Sequence, residues 1–142
     1  DAALLQERGV TLCLCPRSNE RLAVGTAPVH LFKKLGMPLC LGTDSLASND
    51  SLSLWDEIRF ALDRYKGELG PEKLLEMATQ GGAAGIGLAD QLGSLEAGKR
   101  ADFQLVELGG ACSAERLLET GRVRDVCLGG VPLLGDTAES YA

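Results

Sequence analysis

An α/β fold with a parallel sheet covered by helices is predicted by three observations. Two apolar runs, Val10–Cys15 and Met37–Leu41, suit strands buried on both faces. The segment Ala27–Leu35 between them carries a helical apolar pattern, so the unit reads strand, helix, strand, with functional loops at the C-terminal strand ends. Beyond Leu92 the period changes, and a second, smaller β unit begins near Gly93.

Taken in order, Asp1 to Arg8 reads as a helix already under way, with no initiator methionine, so further chain is expected before it; Gly9 closes it. Pro16 ends the first strand, and Pro16 to Thr26 reads as a loop. Gly36 stops the next helix, and Gly42 breaks the second strand. Ser51 or Ser53 caps a helix running through Leu54, Ile58, Ala61 and Leu62 to Tyr65, which Gly67 ends. Pro71 opens another, whose stripe of Leu74, Leu75, Met77 and Ala78 runs toward Gly81-Gly82-Ala83-Ala84-Gly85. Phe103–Val106 and Val126–Leu128 read as strands with a helix near Ala114–Glu119 between them, and the tail Asp136–Ala142 as frayed.

The bulk properties narrow the function. A net charge of −6 argues against nucleic acid as a partner, because phosphate binding needs clustered Lys and Arg, and a neutral or small ligand fits better. No apolar run approaches the ~20 residues of a membrane span, and no signal-peptide pattern opens the chain, so a cytoplasmic location is expected. The five cysteines form no CxxC pair, and disulfides are not expected.

Asp44 directly follows an apolar strand and a glycine, at the rim where α/β folds place catalytic groups. A carboxylate there serves either as a metal ligand or as a turn or N-cap residue for the following helix. Ser18 and Asn19 after the neighbouring strand read as substrate-binding groups or as turn chemistry. Asn49 and Asp50 read as a binding loop or as a capping segment. His30, the sole histidine, has no partner for a metal pair and reads as structural, and Cys13 and Cys15 read as core thiols. The Gly81–Gly87 segment ends a helix instead of opening one after a strand, which excludes a dinucleotide loop and leaves turning as its role. No Gly-x-Ser-x-Gly elbow supports a serine hydrolase.

Four segments follow one another across about ninety residues: Cys15-Pro16-Arg17-Ser18-Asn19, Leu41-Gly42-Thr43-Asp44, Ala47-Ser48-Asn49, and Gly93-Ser94-Leu95-Glu96-Ala97-Gly98-Lys99-Arg100-Ala101-Asp102. In this order they resemble the amidohydrolase superfamily, in the branch that holds chlorohydrolases and guanine, cytosine and adenosine or S-adenosylhomocysteine deaminases. The resemblance implies that residues 1–92 are the C-terminal portion of a TIM (β/α)8 barrel, with Val10–Cys15 as strand seven and Met37–Leu41 as strand eight. Residues 93–142 would belong to a small β-sandwich, the Gly93–Asp102 motif being structural. Asp44 would be the ligand of one divalent metal ion, Zn or Fe, and the acceptor of a proton from the attacking water, with Ser18, Asn19 and Asn49 near the substrate.

The reaction so implied is hydrolysis of a C–N bond in an amino-heterocycle or nucleoside-like molecule. The alternatives are a chlorohydrolase or amide-hydrolysing relative, or a non-catalytic binding or split-subunit chain. The metal-binding histidines of the family are missing from these residues, and a barrel needs about 250 residues. The chain therefore reads as a fragment that binds no metal and is inactive alone. Its exposed strand edges predict self-association or a homo-oligomer.

Overall fold

A computed structural model describes residues 2–133, so Asp1 and the tail Asp136–Ala142 lie outside the described residues. The chain opens with helix α1 (Ala2–Glu7), strand β1 (Leu12–Leu14), helices α2 (Pro16–Arg21) and α3 (Val29–Lys34), and strand β2 (Leu39–Leu41). Helices α4 (Leu54–Arg64), α5 (Pro71–Ala78) and α6 (Gln80–Gly85) follow. Strand β3 (Phe103–Glu107), helix α7 (Ala114–Thr120) and strands β4 (Arg122–Leu128) and β5 (Val131–Pro132) complete it.

β1 and β2 pair in parallel, with Leu12, Cys13 and Leu14 opposite Leu39, Cys40 and Leu41. The pairing has the strand, helix, strand order that the apolar runs predict. β3, β4 and β5 form a separate antiparallel sheet in that order, so the change of character beyond Leu92 is real. Leu14, Leu39 and Leu41 pack with Ile58, Ala61 and Tyr65 of the α4 region and with Leu74 and Met77 of α5, and Leu118 of α7 closes the same core. Ser53 caps α4, its hydroxyl accepting the Asp56 N–H at 3.3 Å, and Pro71 takes the first position of α5. No helix among the described residues is long and apolar enough to cross a membrane.

Several expectations need correction. Residues 16–21, expected as loop, form α2: Pro16 occupies a first helical position, where its missing N–H costs nothing, and Cys15 stands as the cap. β1 is not buried on both faces, since Cys13 is exposed, so the reading of Cys13 as a core thiol fails. The helix expected over Ala27–Leu35 is confined to Val29–Lys34 because Pro28 stands at its cap. β4 begins four residues earlier than expected, at Arg122, and β5 was not foreseen; both are exposed along much of their length, so apolar alternation is weak there.

The glycine-rich segment is also different. It does not merely turn the chain but forms α6, after a break at Thr79 where φ is −117° and ψ −86°. Its glycines serve close packing. A Cβ on Gly81 would stand 2.5 Å from the Leu39 carbonyl oxygen, and one on Gly85 3.3 Å from Thr11 and 3.4 Å from the Cys40 sulfur. Only a helix face without side chains can lie this near the backbone of β2.

α4 also joins the two sheets. Trp55 Nε1 donates to Gln104 Oε1 at 3.0 Å, and Arg59 Nε donates to the Leu118 carbonyl at 2.8 Å. The Gly93–Asp102 segment is fastened by its own backbone: Arg100 N donates to Gln91 O at 3.0 Å, and Gly130 N to Ala101 O at 2.9 Å. Asp102 Oδ1 accepts from Gly129 N at 2.6 Å, which ties the segment to the turn between β4 and β5.

Candidate active site

Because β1 and β2 run in parallel and in register, their C-terminal ends emerge side by side. The Gly42 N–H donates to the Leu14 carbonyl at 2.9 Å and extends the pairing one step. α2 starts at once after β1, and the 42–50 loop leaves β2 beside it. Ser18 on α2 and Asp44 on the loop therefore meet.

Asp44 Oδ2 accepts two hydroxyl hydrogen bonds, from Ser18 at 2.9 Å and from Ser48 at 2.7 Å. Both hydroxyls converge on one oxygen, leaving Oδ1 without a hydroxyl partner. The carboxylate is exposed, whereas its donors are buried: Ser18 is 2% exposed and Ser48 8%. The Ser48 bond, then the Ser18 bond, then a backbone bond from Ser45 hold the Asp44 carboxyl below the usual carboxylate range. Asp44 also has φ of +57°, a left-handed conformation that an aspartate tolerates better than most residues but that its surroundings must hold.

A lowered carboxyl pKa favours the ionised folded state above the ordinary aspartate range, and that preference is lost as pH falls through the lowered value. Ser48→Ala removes the largest cause. The Asp44 carboxyl should then titrate at higher pH, which its side-chain carbon shift in an NMR titration would follow. An unmoved titration would show that Ser48 does not govern this charge.

Asn49 is 2% exposed, and its side chain is spent within the protein. Nδ2 donates to the Thr43 carbonyl at 2.8 Å and to Glu57 Oε1 at 2.6 Å, while Oδ1 accepts from the Asp50 N–H at 2.9 Å. Asn19 sits next to Ser18 on α2, half-buried and outside this network. Arg17 pairs with Asp50, and its Nη1 lies 3.7 Å from Asp56 Oδ2. His30 is apart from the site, its side chain 78% exposed and 4.0 Å from Glu68 Oε2.

Two participants escaped the reading of the sequence. Ser48 belongs to the Ala47-Ser48-Asn49 segment but was not singled out, although its spacing of four residues from Asp44 suits a loop that returns on itself. Glu57 is fully buried on α4, and burial raises its carboxyl pKa, with the Asn49 bond opposing. Its position among Leu54, Ile58 and Ala61 already places it on the inward face of that helix, which is the signal that was available.

Among the described residues no group of three or more His, Cys, Asp and Glu is arranged to hold a metal. Asp44 offers one ionised oxygen donor, which fits a single place in the coordination shell of a divalent ion but not a whole site. A cavity of about 870 Å³ lies elsewhere, between α4–α6 and the antiparallel sheet, lined by Trp55, Ile58, Leu75, Ile86, Phe103 and Val126. It is mostly apolar and holds none of the site residues.

The profile of the amidohydrolase family matches residues 1–133. The chain is similar to a 5-methylthioadenosine/S-adenosylhomocysteine deaminase of Saccharophagus degradans, with 42% identity over 75% of this chain and 25% of that protein. It is also similar to an S-triazine hydrolase of Gordonia rubripertincta, with 36% identity over 99% of this chain and 33% of that one. Among solved structures, a zinc-bound adenosine deaminase from Xanthomonas campestris superposes with a TM-score of 0.85 and 34% identity, over 92% of this chain and 33% of that chain. The chain thus spans between a quarter and a third of these relatives.

Proposed function

The chain belongs to the amidohydrolase family, and on that premise we propose that it is the part of a metal-dependent aminohydrolase that supplies the aspartate of the metal site. The observation that carries this reading is Asp44: an ionised carboxylate at the end of the second of two parallel strands, with one oxygen clamped by Ser18 and Ser48. Residues 1–92 are read as the last portion of a TIM barrel, with β1 and β2 as its seventh and eighth strands, and residues 93–142 as part of a β-sandwich.

A divalent metal, zinc by likeness to the zinc-bound adenosine deaminase, would supply the acidification of water that hydrolysis of an amidine-like carbon needs. Asp44 would hold that ion and accept a proton from the attacking water, and ammonia would leave. Ser18 and Asn49 serve the substrate side by fixing Asp44 and its loop, and Asn19 on the α2 surface is the group of the three left to face a substrate. A nucleoside-like amine is the favoured substrate class, from the likeness to the methylthioadenosine deaminase.

The test uses the longer protein proposed here, loaded with zinc and offered methylthioadenosine, S-adenosylhomocysteine and a chloro-s-triazine. Ammonia release from the nucleosides at kcat/KM of about 10⁴ M⁻¹s⁻¹ or more is expected. Chloride release from the triazine without ammonia would favour the second reading, a chlorohydrolase, which the likeness to a solved atrazine chlorohydrolase of Arthrobacter aurescens, 27% identical with a TM-score of 0.81, motivates. Neither activity in a protein that binds no zinc would point to the non-catalytic chain.

A further inference from the structure

We propose that Glu57 is a positioning residue for Asp44, acting through the Asn49 side chain on the Thr43–Asp44 peptide and through α2 on Ser18. The inference rests on the reading of Asp44 as a metal ligand. Glu57 sits on the inward stripe of α4 beside Ile58 and Ala61, where an aliphatic side chain would satisfy packing without desolvating a carboxylate. It is fully buried, and its carboxylate accepts two N–H donors. Oε1 takes Asn49 Nδ2 at 2.6 Å, and Oε2 takes the Arg17 backbone N–H at 3.3 Å.

Both donors lead to Asp44. The Asn49 amide that reaches Glu57 also grips the Thr43 carbonyl at 2.8 Å, the peptide directly before Asp44. The Arg17 N–H precedes Ser18, whose hydroxyl holds Asp44 Oδ2 at 2.9 Å. Asp44 itself stands at φ of +57°, a conformation kept only where neighbours over-determine it. Without the Thr43 anchor the peptide is free to rotate, the backbone relaxes toward negative φ, and the carboxylate leaves its two hydroxyls. Glu57 thus fixes the loop from beneath and the helix from the side with one buried group.

The test compares Glu57→Gln, Asn49→Ala, the double variant and Asp44→Asn in the zinc-loaded longer protein. Glutamine keeps the size of Glu57 but offers one acceptor oxygen where two donors arrive. Glu57→Gln is expected to lower kcat about 10-fold and zinc affinity, read by chelator competition, by about 10- to 100-fold, with KM within about threefold. Asn49→Ala should do the same or more, and the double variant should lose little beyond Asn49→Ala, because with Asn49 gone the one remaining acceptor of glutamine is free to take the Arg17 N–H and only the Thr43 anchor is lost.

Wild-type kcat and zinc affinity in both Glu57→Gln and Asn49→Ala, with Asp44→Asn inactive, would overturn this inference and leave the reading of Asp44 standing. A lowered melting temperature with unaltered zinc affinity and kcat per folded molecule would also overturn it, as a purely structural role. Undiminished zinc affinity and turnover in Asp44→Asn would instead defeat the reading on which it rests. Should Glu57→Gln fail to fold, Asn49→Ala alone decides, through zinc affinity.

Discussion

Asp44→Asn in the longer protein is expected to lower kcat by about 10³-fold or more while its melting temperature stays within about 2 °C of the wild type. Asparagine matches aspartate in size, tolerates the same left-handed backbone, and can still accept the Ser18 and Ser48 hydroxyls through its carbonyl. The substitution therefore removes charge and little else. On the reading proposed for Asp44, what is lost is an anionic metal donor and a proton acceptor, and general acid–base chemistry alone is worth about 10²–10⁴-fold. Steady-state kinetics with zinc content and circular dichroism on the same sample would check it. A variant within tenfold of wild-type kcat would remove Asp44 from the chemistry.

A large effect on stability is expected at Gly93, where backbone conformation and packing act together. Its φ is +91°, and a Cβ there would meet Ala83 Cβ at 2.8 Å, Gln80 Cα at 2.9 Å and the Thr79 carbonyl at 3.1 Å. Gly93→Ala combines a left-handed penalty of about 1 kcal/mol with about 1–3 kcal/mol of overpacking against α6. The sum, about 2–4 kcal/mol, is a sizeable part of the 5–15 kcal/mol typical of a domain. Gly87 provides the control: its φ is +74°, but nothing lies within 4 Å of an added Cβ, so Gly87→Ala should show the conformational penalty alone. Urea unfolding of both variants would separate the two costs. Equal losses would mean that α6 retreats freely from Gly93.

What the residues revealed beforehand follows from which signals are local. Val10–Cys15 and Met37–Leu41 are continuous apolar runs, so β1 and β2 and their parallel pairing were legible, as were the cap at Ser53 and the entry of α5 at Pro71. The place of Asp44 at the strand ends, beside Ser18, was legible because position after a strand and a glycine is itself informative. α2 was not, since Pro-Arg-Ser-Asn serves turns and first helical turns alike. α6 was hidden by its glycines, whose low helix propensity is overridden by the packing of a smooth face on β2. The charged start of β4, Arg122 to Asp125, shows no apolar alternation, so its strand state comes from pairing with β3 alone. The inward place of Glu57 on α4 was legible from its spacing to Ala61, but its partners, the Arg17 N–H and the Asn49 amide, come only from tertiary contacts.

The placement of α4 has a consequence for the order in which the molecule comes apart. Its residues 55 and 59 hold the antiparallel sheet and α7 through Trp55–Gln104 and Arg59–Leu118, whereas residue 57 between them holds the loop of Asp44. The β3–β4–β5 sheet is stitched by antiparallel neighbours of its own, and many of its side chains are exposed. It can therefore open as a cooperative foldon by releasing those two polar links together with the apolar contact of Leu118, while α4 stays seated on β2. In amide exchange the sheet would be the first to yield, and the backbone of β2 and α4 beneath the Asp44 loop would stay protected until the last global opening.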